Sequence, residues 1–161
     1  MKNILGIDPG STQIGYGVIS FKNKNSKPKA LGYGYISLQK YPDPGERLLQ
    51  LHTDLKEIFT KYKPDCMAIE GVYFFKNAKT FTPVIQSKGV ILFTAHEANL
   101  KIFEYTPLQV KQTICGYGKG SKALVHKLVQ SSLDIRSNIK PDDASDALAI
   151  ALCHLRHLTN L

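Results

Sequence analysis

Short apolar runs alternate with polar breaks along the chain, and run length with periodicity separates strands from helices. Ile4-Leu5-Gly6-Ile7 is an apolar run that stops at Asp8-Pro9-Gly10, a turn cluster, so a buried strand is predicted there. Two similar segments follow, Gly15-Tyr16-Gly17-Val18-Ile19-Ser20 and Gly32-Tyr33-Gly34-Tyr35-Ile36-Ser37, separated by the polar stretch Lys22 to Lys29. The similarity occurs once, which fits a hairpin rather than a repeat array. The breaker cluster Tyr41 to Gly45 precedes Leu48, Leu51, Leu55, Ile58, Phe59 and Tyr62, spaced by threes and fours. That spacing predicts an amphipathic helix with Glu46 in its first turn, stopped at Lys63-Pro64-Asp65.

Cys66-Met67-Ala68-Ile69 reads as another buried strand and ends at Glu70. A helix is predicted over Lys79 to Asn99, with Gly89 as a point of close packing, and a strand over Lys101 to Tyr105. A short helix over Leu108 to Cys115, a loop over Gly116 to Gly120 and a helix over Lys122 to Leu133 come next. The last helix runs from Asp143 to His157. Three strands followed by alternating helix and strand imply an α/β fold, a mixed sheet flanked by helices. No linker divides the chain, so residues 1–161 are expected to form a single domain.

Charge narrows the partners. The chain has 161 residues and a formal net charge of +8, which favours an acidic partner such as nucleic acid. Hydrophobic residues at 43% and charged residues at 21% read as an ordinary globular protein and not as a disordered chain. The N-terminal segment does not read as a signal peptide, and no apolar run approaches the roughly 18 residues of a membrane span. Cys66, Cys115 and Cys153 are widely spaced and form no CxxC pair. Free thiols in a reducing cytoplasm are therefore expected, and a disulfide framework or zinc ribbon is not.

Against that basic background, four acids stand out. Asp8 and Glu70 each end an apolar strand, and residues at the ends of neighbouring strands converge. Asp143 and Asp146 are spaced i, i+3 on an otherwise apolar helix and share a face. Singly, each has a plain structural reading: a turn, an exposed strand end, or a charge that complements the helix dipole, as Asp142 does. Jointly they describe an acidic cluster that needs cations. Oxygen ligands suit Mg²⁺, and two ions roughly 3.5–4 Å apart form a phosphodiester-cleaving device. Asp142 stays open as the alternative to Asp143, because the pattern does not fix the helix start to the residue. Gly116 to Lys122 only loosely follows a phosphate-loop pattern, and a basic loop against nucleic-acid phosphate suits it better. His52, His96, His126, His154 and His157 show no ligand spacing to these acids and are assigned structural or surface roles.

Taken in order, Ile4 to Gly10 with Gly15 to Val18, Ala68-Ile69-Glu70 with Lys76-Asn77, Val110-Lys111-Gln112 with Gly116-Tyr117-Gly118, and Asp143 to Ala149 resemble the RuvC Holliday-junction resolvases. The resemblance runs from about residue 4 to the C-terminal helix. It implies an RNase H-like fold with a mixed five-stranded sheet. It further implies a Mg²⁺-dependent homodimeric endonuclease, with Mn²⁺ able to substitute, that nicks opposing strands of a four-way DNA junction to leave 5′-phosphate and 3′-hydroxyl ends. A branch-migration motor is the implied partner.

Asp8, Glu70, Asp143 and Asp146 match the family's metal-binding acids. Lys111 and Lys122 match basic DNA contacts, and Tyr73 stands where the family usually has a Phe that stacks at the junction. Ser145 replaces the more usual Ala, a small change. Lys119 is a further DNA-contact candidate supported only by its loop. A dimer surface is expected on the helix after Gly71, among Phe74, Phe75, Phe81, Val84 and Ile85, with core packing as the competing role for some of these rings. Two rival readings remain: another RNase H-like nuclease acting on RNA, and an actin-like or sugar-kinase-type ATP-binding domain, which also opens on strand-Asp-x-Gly but normally needs far more chain.

Overall fold

In the computed structural model the described residues are 1–23, 25–72 and 78–159, with Ala78 described by its backbone alone. Tyr73, Phe74, Phe75, Lys76 and Asn77 therefore lie outside the described residues. Strands β1 (Lys2–Asp8), β2 (Gln13–Phe21) and β3 (Lys29–Ser37) form an antiparallel meander. Strands β4 (Cys66–Glu70) and β5 (Lys101–Tyr105) add in parallel, giving the order β3-β2-β1-β4-β5. Helices α1 (Pro44–Tyr62) and α2 (Ala78–Glu97) connect into and out of β4. Helices α3 (Pro107–Cys115), α4 (Lys122–Leu133) and α5 (Asp142–Thr159) complete the chain. The predicted mixed five-stranded sheet with flanking helices is the observed one.

Helix starts follow local chemistry. Asp43 caps α1 by accepting from the Glu46 N–H at 2.9 Å, with Pro44 in the first turn. Thr106 and Gln109 form a capping box on α3. Ser121 caps α4 by accepting from the Leu124 N–H, which accounts for the serine in the glycine-rich loop.

Strand alternation divides the interior into two cores. Leu5 and Ile7 of β1 and Met67 and Ile69 of β4 pack against α1 and α2. Ile4 of β1 and Cys66 and Ala68 of β4 pack on the opposite face, against α5 with α3 and α4. By the same period of two, Asp8 and Glu70 fall on the α5 face. Helix α5 can lie directly on the sheet because Gly6 and Gly15 present no side chain to it. A Cβ on Gly6 would collide with the carbonyl oxygen of Ala147, and one on Gly15 with that of Asp143.

One expected packing point is corrected. Gly89 of α2 is exposed, and a Cβ there would meet nothing within 4 Å. It lies on the outer face of the helix, whereas Ile91 and Ala95 face the core. Among the described residues, no helix is long and apolar enough to cross a membrane.

Candidate metal and nucleic-acid site

Parallel pairing of β1 with β4 sets Ile7 beside Ile69, so Asp8 and Glu70 emerge together at the C-terminal ends of two neighbouring central strands. On the other side of Asp8, its β2 partner is Gly15, the glycine over which the backbone of Asp143 passes. Asp143 thereby enters the site, and Asp146 follows one turn later on α5. Carboxylate oxygens of Asp8, Asp143 and Asp146 all lie within 4.8 Å of one another. Glu70 is not in this tightest group but faces the same cavity, about 220 Å³, with Asp8, Asp146, Lys111 and Lys122. Asp142 is exposed and stands apart from the trio, paired with Lys122 at 3.4 Å.

The electrostatics follow from crowding. Burial, and then the charges of Glu70, Asp146 and Asp143, push the Asp8 carboxyl up to about 8, against a smaller opposing pull from Lys122. Burial and Asp146 also raise Glu70, while Lys111 and Lys122 act the other way. Lys122 loses some basicity to burial, but its pairs with Asp146 at 3.2 Å and with Asp142 outweigh that and raise its pKa. The side-chain amide of Gln13 on β2 donates to Asp143 Oδ2.

Of the predicted DNA contacts, Lys111 and Lys122 line the cavity. Lys119 is exposed in the loop before α4 and is not among the lining residues. Tyr73 lies outside the described residues.

Two neighbours of the acids carried no signal in the chain. One is Gln13. The other is His126, whose Nε2 lies 3.0 Å from Asp146 Oδ1. The only local hint was its place one helical turn after Lys122 on α4. The structural role expected for His154 agrees with its burial: it stacks on Phe103 and shares a hydrogen bond of 2.8 Å with the Tyr105 hydroxyl.

Residues 4–154 match the family model described as crossover junction endodeoxyribonuclease RuvC. A crossover junction endodeoxyribonuclease RuvC from Caldicellulosiruptor saccharolyticus is 47% identical over 94% of this chain and 91% of its own length. Among solved structures, Thermus thermophilus RuvC in complex with Holliday junction substrate superposes with a TM-score of 0.92 at 29% identity, covering 99% of this chain and 96% of that one. The yeast mitochondrial Holliday junction resolvase Ydc2 shares the fold, with a TM-score of 0.69 at 19% identity over 99% of this chain and 82% of that one.

Proposed function

The chain belongs to the RuvC family of crossover junction endodeoxyribonucleases, and on that premise we propose that it resolves four-way DNA junctions by paired symmetric nicks. The observation that carries the reading is the meeting of Asp8, Asp143 and Asp146, two of which, Asp8 and Asp146, line one cavity with Glu70, Lys111 and Lys122. Family membership sets aside the actin-like ATP-binding reading.

The donor set fits hard divalent cations. It is all carboxylate oxygen, it is half-buried, and a cation there would favour the ionised form of Asp8 that burial and its acidic neighbours disfavour. Asp8, Glu70, Asp143 and Asp146 are the residues we assign to holding two Mg²⁺ ions, with Mn²⁺ as a working substitute. Bound there, such ions lower the pKa of an attacking water and offset charge on the departing 3′ oxygen, leaving 5′-phosphate and 3′-hydroxyl ends. Lys111 and Lys122 supply positive charge on the cavity wall, so that a phosphate can approach acids that would otherwise repel it. Tyr73 is assigned a stacking role at the junction centre from the family pattern alone, and Lys119 a phosphate contact from its loop.

We read residues 1–161 as one nuclease domain with one cutting site, so paired nicks require a two-fold dimer. The outer face of α2 supports this. Ile85 is 40% and Phe93 63% exposed, and Gly89 between them leaves room for a helix to approach closely. Phe81 and Val84 are half-buried beside that face, and Phe74 and Phe75 lie outside the described residues. A branch-migration motor as partner and a cytoplasmic location follow from the family alone.

The test is a gel assay on strand-labelled four-way junction, plain duplex and RNA–DNA hybrid, with Mg²⁺, with Mn²⁺ and with neither. Symmetric junction nicks that require the metal are expected. Preferential cutting of the hybrid would replace this reading with an RNA-directed one.

A further inference from the structure

Helix α4 meets the acidic turn of α5 through two bases one turn apart, and the two bases differ. Lys122 Nζ lies 3.2 Å from Asp146 Oδ2 and 3.4 Å from Asp142 Oδ2. His126 Nε2 lies 3.0 Å from Asp146 Oδ1, and its Nδ1 lies 3.9 Å from Asp142 Oδ1. Both oxygens of Asp146 are thus held from one helix. The Lys122 side chain is 57% exposed and flexible, free to leave Asp146 for a phosphate. The His126 side chain is only 19% exposed, and its short, planar ring carries far less conformational freedom.

We propose that His126 is a positioning residue for the metal site. Its Nε2–H donates to Asp146 Oδ1 and fixes the plane of that carboxylate, so that the acid is ordered before any cation binds. Outer hydrogen bonds of this kind orient ligating carboxylates, and losing one typically weakens metal affinity or activity by about 10–100-fold. The inference rests on the assignment of Asp146 as a metal-holding acid. It goes beyond that assignment by naming the group that sets the acid's geometry.

The test is Mn²⁺ binding to the DNA-free protein by calorimetry, alongside the Mg²⁺ concentration for half-maximal junction nicking and junction affinity in EDTA. His126→Ala is expected to raise the Mn²⁺ Kd and the half-saturating Mg²⁺ by roughly 10-fold or more. Its junction affinity in EDTA should stay within about twofold. His126→Gln, whose amide can donate in place of Nε2–H, is expected to recover most of the loss. His126→Asn, too short to reach Asp146, should behave like the alanine variant and stands in for it if that variant folds poorly.

Unchanged Mn²⁺ affinity in both short variants would overturn the proposal. So would equal losses of metal and junction binding, or a folded glutamine variant as impaired as alanine. If wild-type protein binds Mn²⁺ and the short variants lose it, but no junction is cut, the nuclease reading fails and the positioning role stands.

Discussion

The two ends of α5 bury titratable side chains in opposite ways. At the N-terminal end, Asp143 and Asp146 join Asp8 and Glu70, and burial, with the like charges around it, pushes Asp8 up to about 8. At the C-terminal end, His154 lies fully buried on Phe103, bonded to the Tyr105 hydroxyl, and burial with help from His157 pushes it down to about 4. The histidine is neutral, with Nδ1 paired to the Tyr105 hydroxyl and Nε2 buried without a hydrogen-bond partner. The acids are in a different position: their mutual repulsion is relieved by a proton held on Asp8, by the Lys122–Asp146 ion pair, or by bound cations. A buried ionisable group crowded by several like charges therefore marks a candidate functional site, whereas a neutral one packed among aromatic rings marks structure.

The contrast breaks first at Asp8. Asp8→Asn is expected to cut nicking by roughly 10³-fold or more, about 4 kcal/mol of barrier, with junction binding retained in a gel shift. Residual cleavage near wild type would remove Asp8 from the acting group. At the other end, His154→Ala should lower stability by about 2–4 kcal/mol in denaturant melts, since it deletes a stacked, buried ring. The stabilisation gained from added Mg²⁺ should not move. A change in that gain would show the two ends to be coupled.

Stability against pH sharpens the comparison, because the signs differ. Asp8 binds its proton more tightly folded than unfolded. Between its ordinary value of 3.8 and about 8, metal-free protein therefore loses stability as pH rises. His154 binds its proton less tightly folded, so between 6.5 and about 4 stability falls as pH falls. In EDTA, Asp8→Asn should thus raise Tm by roughly 5 °C at pH 7.5, with the gain shrinking toward pH 4. A gain independent of pH would assign the effect to packing instead of charge. The smallest effect is expected from Lys122→Ala, which should weaken junction binding several-fold and flatten its salt slope by about one. An unchanged slope would exclude Lys122 from phosphate contact.

Much of the site was legible because strand ends and helix faces are local properties. Asp8 and Glu70 follow apolar runs, and Asp143 and Asp146 share a face at i, i+3. The α4 boundaries, Lys122 to Leu133, were read correctly, since Ser121 caps the helix from the adjacent residue. His126 and Gln13 were not legible. Their hydrogen bonds reach across 20 and 130 residues of chain, and nothing near either one records the partner. That Gly89 makes no close contact within the chain was not legible for a related reason: periodicity reveals a helix but not whether a small residue on it faces the sheet or the outside.

By itself the sequence determined the order of strands and helices and the acids that end β1 and β4. Each of these depends on neighbours within a few positions. The choice of Asp143 over Asp142, the orientation of Asp146 and the separation of Lys119 from the cavity were decided only in the tertiary structure. The first of these depends on how far α5 descends onto the sheet. Gly6 and Gly15 set that distance by what they lack, because a Cβ at either position would strike the backbone of α5. An absent side chain acquires meaning only when another part of the chain comes to occupy its space.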